Sequence, residues 1–406
     1  MTAPHARAGR PGLVLGGVAI AFTSLYLAAG ALVPLLVLYQ EKWGLSAALL
    51  TLAFAVFALG FLAALLTLGS LSDHLGRRPV LVGALVLQLA SNVVFLVAPD
   101  IGWVIAGRIL QGFATGAATT AFTAALVEVA PPDRKGLGAA LGGVGLTGGL
   151  AVGSLLAGLA LQLTTHANSI VFVALVVITV LGIGVIALSP ETATRTPGIL
   201  RALIPRVAVP PSARREFAAA APAIAAIWMI AALSGGLAPS FVRTVFLLNS
   251  GLLNGLAGFV APAASAAVGL VFGATDSRRA MRIGIQASIV GSICIVGGVW
   301  AGILTLMIVG QVIAGAGFGA SFTAALRLVL PLVKGHQRAG VVAAIFLVAY
   351  TAFGAPIVVA GQLAGRYGSV PTVIAFGAAT VLLALVSLAA QQNLTRLTRM
   401  PAAQSN

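Results

Sequence analysis

Two groups of residues are of the right type and spacing to do chemistry. The first is Arg108 with Gln111, three positions on, inside a long apolar stretch. That spacing puts both side chains on one face of a helix. An arginine at membrane depth costs about 2.5–3.5 kcal/mol on insertion scales. It must face a wet cavity, find a partner, or snorkel toward the headgroups. The second group is the turn Gly69-Ser70-Leu71-Ser72-Asp73-His74-Leu75-Gly76-Arg77-Arg78-Pro79, a concentration of charge in a chain only 8% charged. Gly76 permits a positive φ. Pro79 can open the following helix, where its missing N–H costs nothing. Arg77 and Arg78 can hold the turn on the cytoplasmic side of a bilayer. The turn is either a switch or a basic hairpin that only sets topology. Glu128 ends the stretch that holds Arg108, too far along it for the two to pair.

The elements that must position these residues follow from composition. The chain has 406 residues, 60% of them hydrophobic, with a mean hydropathy of +1.09. A soluble domain cannot hide that much apolar surface, so the expected class is an all-α polytopic membrane protein. About 20 residues cross a bilayer as a helix, and twelve runs are long enough. The first six are Leu13–Leu38, Leu45–Leu68, Pro79–Ala98, Ile101–Leu126, Gly136–Leu161 and Ser169–Leu188. The second six are Phe217–Pro239, Leu252–Ala274, Met281–Trp300, Leu304–Leu330, Val341–Gly361 and Val370–Ala390. The first run is too long for a signal peptide. The predicted organisation is a six-helix bundle over 1–188, a basic linker over 189–216, a second bundle over 217–390 and a tail over 391–406.

The net charge of +15 points to an anionic lipid surface rather than to nucleic acid, because the cations sit in short loops between apolar runs. Outside the spans only Lys42, Arg243 and Arg366 fall on one side. The rest, from Arg7 and Arg10 to Arg396 and Arg399, fall on the other. Both termini are therefore expected in the cytoplasm of a protein of the cytoplasmic membrane. The linker holds Pro190, Pro197, Pro205, Pro210 and Pro211, which keep it from being a further span. The two halves also repeat. Phe122-Thr123-Ala124-Ala125-Leu126 recurs as Phe322-Thr323-Ala324-Ala325-Leu326, and Gly102, Gln111 and Pro131 recur in the same register as Gly302, Gln311 and Pro331. Ile308 stands where an arginine matching Arg108 would be, so the buried positive charge belongs to the first half.

No carboxylate lies mid-span, and the histidines His5, His74, His166 and His336 fall at loops or span ends. No His, Cys, Asp and Glu cluster has metal spacing, and no phosphate loop is present. The lone Cys294 reads as packing. No cofactor is expected. Candidate cavity residues are Arg108, Gln111, Gly112, Thr115, Gln311, Tyr26, Trp228, Asn254, Tyr350 and Phe353. The fifth span offers Gly145, Gly149 and Gly153 on one face for close helix packing, and the eighth offers Gly251, Gly255, Gly258 and Gly269. Both faces suit halves that slide or static packing.

The turn, with Gly69, Asp73, Gly76, Arg77 and Arg78, resembles the G-x-x-x-D-x-x-G-R-R loop after the second helix of major facilitator superfamily transporters. Arg108-Ile109-Leu110-Gln111-Gly112 resembles the R-x-x-Q-G string of their fourth helix, and Pro190-Glu191-Thr192 the P-E-T that ends their sixth. Gly269, Gly273, Asp276, Arg278 and Arg279 form a degenerate copy of the loop in the second half. The resemblance implies two six-helix bundles rocking about a midplane cavity, and a monomer. It implies a latch of Asp73, Arg77 and Glu128 on the cytoplasmic side, with Asp73 facing a helix of the other half, and an Arg108 tied to proton coupling. Its nearest branch is the drug/proton antiporters, which implies export of a drug-like compound or metabolite with the proton gradient as energy source. Gly149-Leu150-Ala151-Val152-Gly153-Ser154 departs from the antiporter string G-P-x-x-G-G at its proline and last glycine. A cavity with Arg108 and no acid favours neutral or anionic substrates, so uptake or facilitated diffusion of such a metabolite is the alternative. A membrane enzyme would need a catalytic cluster, and a channel would conduct without saturation.

Overall fold

The computed structural model describes residues 11–193, 196, 197, 203, 205, 207–271 and 275–399. Arg7, Arg10, Arg195, Arg201, Arg206 and Gly273 lie outside the described residues. The first half consists of α1 (Pro11–Trp43), α2 (Ala47–Leu68), the short α3 (Leu71–Leu75), α4 (Arg77–Val97), α5 (Ile101–Val129), α6 (Lys135–Leu163) and α7 (Ala167–Leu188). The second consists of α8 (Pro211–Gly236), the short α9 (Ala238–Thr244), α10 (Gly251–Val271), α11 (Ser277–Ala301), α12 (Leu304–Val329), α13 (Arg338–Tyr367) and α14 (Ser369–Arg399). Eleven of these are long and apolar enough to cross a membrane. The twelfth crossing is α5, 29 residues long, whose Arg108, Gln111 and run of Gly and Thr lower its hydropathy. Its length and its place between α4 and α6 keep it a span.

Each half packs in the same way. In the first, α5 lies against α2 and α4, and α1 against α6 and α7; in the second, α12 lies against α10 and α11, and α8 against α13 and α14. The halves meet along two seams, α2 with α13 and α6 with α10. Each seam joins the second helix of one half to the fifth of the other, as a pseudo-two-fold axis requires.

One end of the molecule carries Arg77, Arg78, Arg278 and Arg279 and is called the basic end here. Toward the opposite end the α6–α10 seam is tight. Gly158 and Gly255 bring the two backbones together, so that a Cβ on either would meet main chain of the other. The Ser154 hydroxyl donates to the Gly255 carbonyl at 3.0 Å, and Gln162 and Ser250 bond at 3.0 Å. Arg243 of α9 pairs with Glu41 of α1 across the halves. Nearer the basic end the same helices part. Thr147 and Leu150 of α6 and Ala261, Pro262 and Ser265 of α10 line a cavity instead.

Several boundaries differ from the sequence expectation. The seventh span stops at Gly236, where Gly235 and Gly236 let the Phe54 ring press on the backbone. Arg243 then sits on the separate helix α9. The helix α8 starts at Pro211, inside the expected linker, because proline is suited to the first helical turn. The helix α14 runs on to Arg399 through most of the expected tail, anchored by the buried Gln391. Asp100 caps α5 by accepting the N–H groups of Gly102 and Trp103, and Asp276 caps α11 by accepting that of Arg279. Both acids satisfy helix ends.

Candidate functional site

A cavity of about 130 Å³ lies between the halves at mid-depth, room for a small organic molecule rather than a single water. Arg108 reaches it from α5 and is 2% exposed. Gly60, Gly112 and Gly116 bring the α2 and α5 backbones close enough for this. The guanidinium can then donate to the α2 carbonyls of Ala53 (3.3 Å) and Phe54 (2.9 Å). A third bond goes to Gln111 Oε1 at 2.7 Å. The Phe57 and Phe54 rings lie 4.5 and 5.5 Å from its carbon, within cation–π range. Three bonds leave two of the five N–H donors of an arginine, and among the described residues no carboxylate lines the cavity. A buried cation without a neutralising acid attracts an anionic ligand.

The rest of the lining is mostly apolar and aromatic. Trp228 stands among Tyr350 (4.7 Å between centroids), Phe318 (5.3 Å) and Phe353 (5.9 Å). Tyr350 stacks on Phe61 of the other half at 4.0 Å, and the Tyr26 hydroxyl bonds Thr119 at 2.8 Å. Thus Arg108, Tyr26, Trp228, Tyr350 and Phe353 line the cavity. Gln111 and Thr115 do not: Gln111 orients Arg108, and Thr115 donates to the Gln111 carbonyl at 2.7 Å. Gly112 faces Phe57 main chain as a packing residue. Gln311 is fully buried away from the lining. Asn254 lies beside the tight end of the α6–α10 seam. Helical phase cannot separate a cavity face from a seam, since both are buried and both face inward. Gly145, Gly149 and Gly153 pack on α1 within the same half. On the α6–α10 seam the surface shared between the halves is Ser154 and Gly158 with Gly251, Gly255 and Gly258. Phe54, Phe57 and Ser234 were not readable as site residues, because an apolar span shows no sign of which aromatics meet a cavity.

At the basic end Arg77 donates to Ser72 and Asp73 and to Glu128 at 3.1 Å. Thr192 donates to the other Glu128 oxygen. Glu191 crosses the start of α4 and accepts the N–H groups of Arg77 (2.8 Å) and Arg78 (3.1 Å). Gly76 has φ +100°, and a Cβ there would strike the Glu191 carboxylate. Thr196 donates to the Asp73 carbonyl. Burial pushes the Glu191 carboxyl up, but the N–H groups of Ala193, Arg77, Arg78 and Thr192 outweigh it and hold its pKa below the usual carboxylate value. Every described partner in this cluster belongs to the first half or to the segment after α7. Asp73 pairs with Arg77 of its own half rather than with a helix of the other. The second half has a different pair, Arg278 with the buried Glu216 at 2.9 and 3.2 Å. The degenerate loop copy gave no sign of it, because Glu216 comes from α8.

Residues 18–355 match the sequence profile of the Major Facilitator Superfamily. The chain belongs to the major facilitator superfamily. This superfamily consists of secondary transporters, so the chain reads as a transporter and not as an enzyme. The facilitated glucose transporter member 10 of solute carrier family 2 from Mus musculus is 32% identical over 137 residues, 34% of this chain and 25% of that protein. The citrate-proton symporter of Klebsiella pneumoniae is 37% identical over 98 residues, 21% and 22% of the two chains. The quinolone resistance protein NorA of Staphylococcus aureus is 27% identical over 111 residues, 27% and 29%. The chain therefore matches about a quarter of the length of these relatives. Among solved structures, a POT family transporter in complex with 5-aminolevulinic acid superposes with a TM-score of 0.76 at 12% identity, covering 94% of this chain and 96% of that one. A bacterial homologue of the lysosomal transporter Spinster, inward-facing and unoccupied, superposes at 0.72 and 14% identity, covering 98% and 100%. These likenesses concern the fold.

Proposed function

We propose that this protein is an alternating-access carrier of the cytoplasmic membrane that moves a small anionic or neutral molecule through the cavity at Arg108. The observation that carries this reading is a buried guanidinium with two N–H groups left, at mid-depth between two repeated bundles. The basic end faces the cytoplasm, as positive loops favour, with both termini on that side. The tight seam at the opposite end then corresponds to a cavity closed to the outside, and rocking of the halves would exchange the seams.

Proton-driven export of a drug-like compound, as the turn and the R-x-x-Q-G string imply, is the second reading. Its support is the likeness to NorA. Proton exchange needs a group that binds a proton near neutral pH. Among the described residues the cavity lining holds arginine, tyrosine, serine and threonine but no carboxylate or imidazole, and arginine stays charged in proteins. The lining therefore favours the carrier of an anionic or neutral molecule. The test is counterflow in proteoliposomes with a panel of labelled organic anions, sugars and cationic dyes. Counterflow of an anion or neutral solute that survives collapse of the pH gradient and is lost in Arg108→Gln supports the reading. Flux of cationic dyes alone, dependent on a pH gradient, would support the antiporter instead.

A further inference from the structure

We infer that the substrate is a small aromatic carboxylate bearing a second hydrogen-bond acceptor, with its acid on Arg108 and the acceptor on Trp228; this rests on the cavity being the transport site. The first-half wall supplies the charge. Arg108 lines the cavity with two N–H donors that make no bond within the protein, and the rings of Phe54 and Phe57 lie within cation–π range of it. The second-half wall supplies two unmet polar groups. Trp228 and Ser234 line the cavity, 8% and 3% exposed, and their Nε1 and Oγ are buried with no hydrogen-bond partner. An indole N–H is a donor only, and a buried donor left unmade is unfavourable. The position of Trp228 in the cavity wall therefore calls for an acceptor from the ligand.

The aromatic lining selects the body. Phe54 of the first half packs on Phe353 of the second at 5.1 Å, and Phe353 packs on Trp228 at 5.9 Å, so a continuous aromatic surface borders the cavity. A flat ring can offset-stack on or meet edges of such surfaces. A sugar would bring many hydroxyls to a mostly apolar lining that offers few partners. An organic cation would meet Arg108 and no acid. Because Arg108 belongs to α5 and Trp228 and Ser234 to α8, the ligand would also bridge the halves.

The test is binding to the purified full-length protein in nanodiscs, by thermal shift and equilibrium dialysis, with four probes of one size. These are 4-hydroxyphenylacetate, phenylacetate, phenylacetamide and phenethylamine. The hydroxy acid is expected to bind about fivefold to tenfold tighter than phenylacetate, the value of one neutral hydrogen bond. Phenylacetamide should bind at least about tenfold more weakly than phenylacetate, for loss of the charged contact, and phenethylamine not at all. Trp228→Phe keeps the ring and removes the N–H. It should bring the ratio of the two acids' affinities close to one. Should that variant melt well below the wild type, Ser234→Ala is read instead, where a loss confined to the hydroxy acid supports the assignment of the second wall. Equal binding of phenylacetate and phenylacetamide overturns the proposal, as does an unchanged ratio of the two acids in Trp228→Phe. If glucose or ethidium shows counterflow while no acid binds, the substrate class falls and the carrier stands. If the acids bind in the stated order but no probe shows counterflow, the class stands and the carrier falls.

Discussion

Glycine 76 shows how one residue can hold a functional cluster together. Its φ of +100° is open to glycine and strained for other residues, and the Glu191 carboxylate occupies the place of a Cβ. Gly76→Ala should lower stability by about 1–3 kcal/mol, read as a drop in melting temperature of the purified protein. Glu191→Ala should bring a smaller drop and relieve the clash part of the Gly76→Ala penalty in the double variant, leaving the part due to φ. The same carboxylate predicts a pH dependence. Its pKa is depressed in the folded state, so its stabilising effect is present above the ordinary carboxylate value and is lost as pH falls through the lower folded value. The stability difference between wild type and Glu191→Gln should thus be constant near neutrality and shrink below about pH 4. A difference that persists to low pH would exclude this role. The Arg77–Glu128 pair is partly exposed and worth about 0–1 kcal/mol, weak enough to break in a cycle.

At the scale of helices, the α6–α10 seam closes one end of the cavity because small residues allow main-chain contact. Gly158 and Gly255 are the closest points. Gly158→Leu should prevent closure at the opposite end while leaving each bundle folded. With Cys294 replaced by alanine, a reporter Ser234→Cys should then react faster with an impermeant thiol reagent added from that end. Unchanged reactivity would show that the seam is not the barrier. Much of this scale was legible in the sequence. Twelve apolar runs and the recurrence of Phe122–Leu126 as Phe322–Leu326 were enough to expect the helices and their order. Arg108 could be singled out because a charge inside a span needs a physical reason. What a residue faces was less legible. The glycines of α6 show a smooth face, but not that its neighbour is α1. Asn254 and Gln311 are polar in apolar spans, like Arg108, yet lie away from the cavity. Phe54 and Phe57 help to form the site and are indistinguishable in sequence from core.

At the scale of the whole molecule, the central claim is that two six-helix halves rock about the cavity at Arg108 and expose it to each side in turn. The halves are joined at the end opposite the basic loops by Ser154 with Gly255, Gln162 with Ser250, and Arg243 with Glu41. These contacts must part for the cavity to open there. A reversible lock at that point tests the claim most directly. In a Cys294→Ala background, Gln162→Cys and Ser250→Cys place a cysteine pair across the seam. Turnover is then measured in proteoliposomes before oxidation, after oxidation and after reduction. Oxidation should abolish transport while leaving ligand binding from the basic side intact, and reduction should restore transport. Oxidised protein that turns over at the rate of the reduced protein would contradict alternating access through this seam.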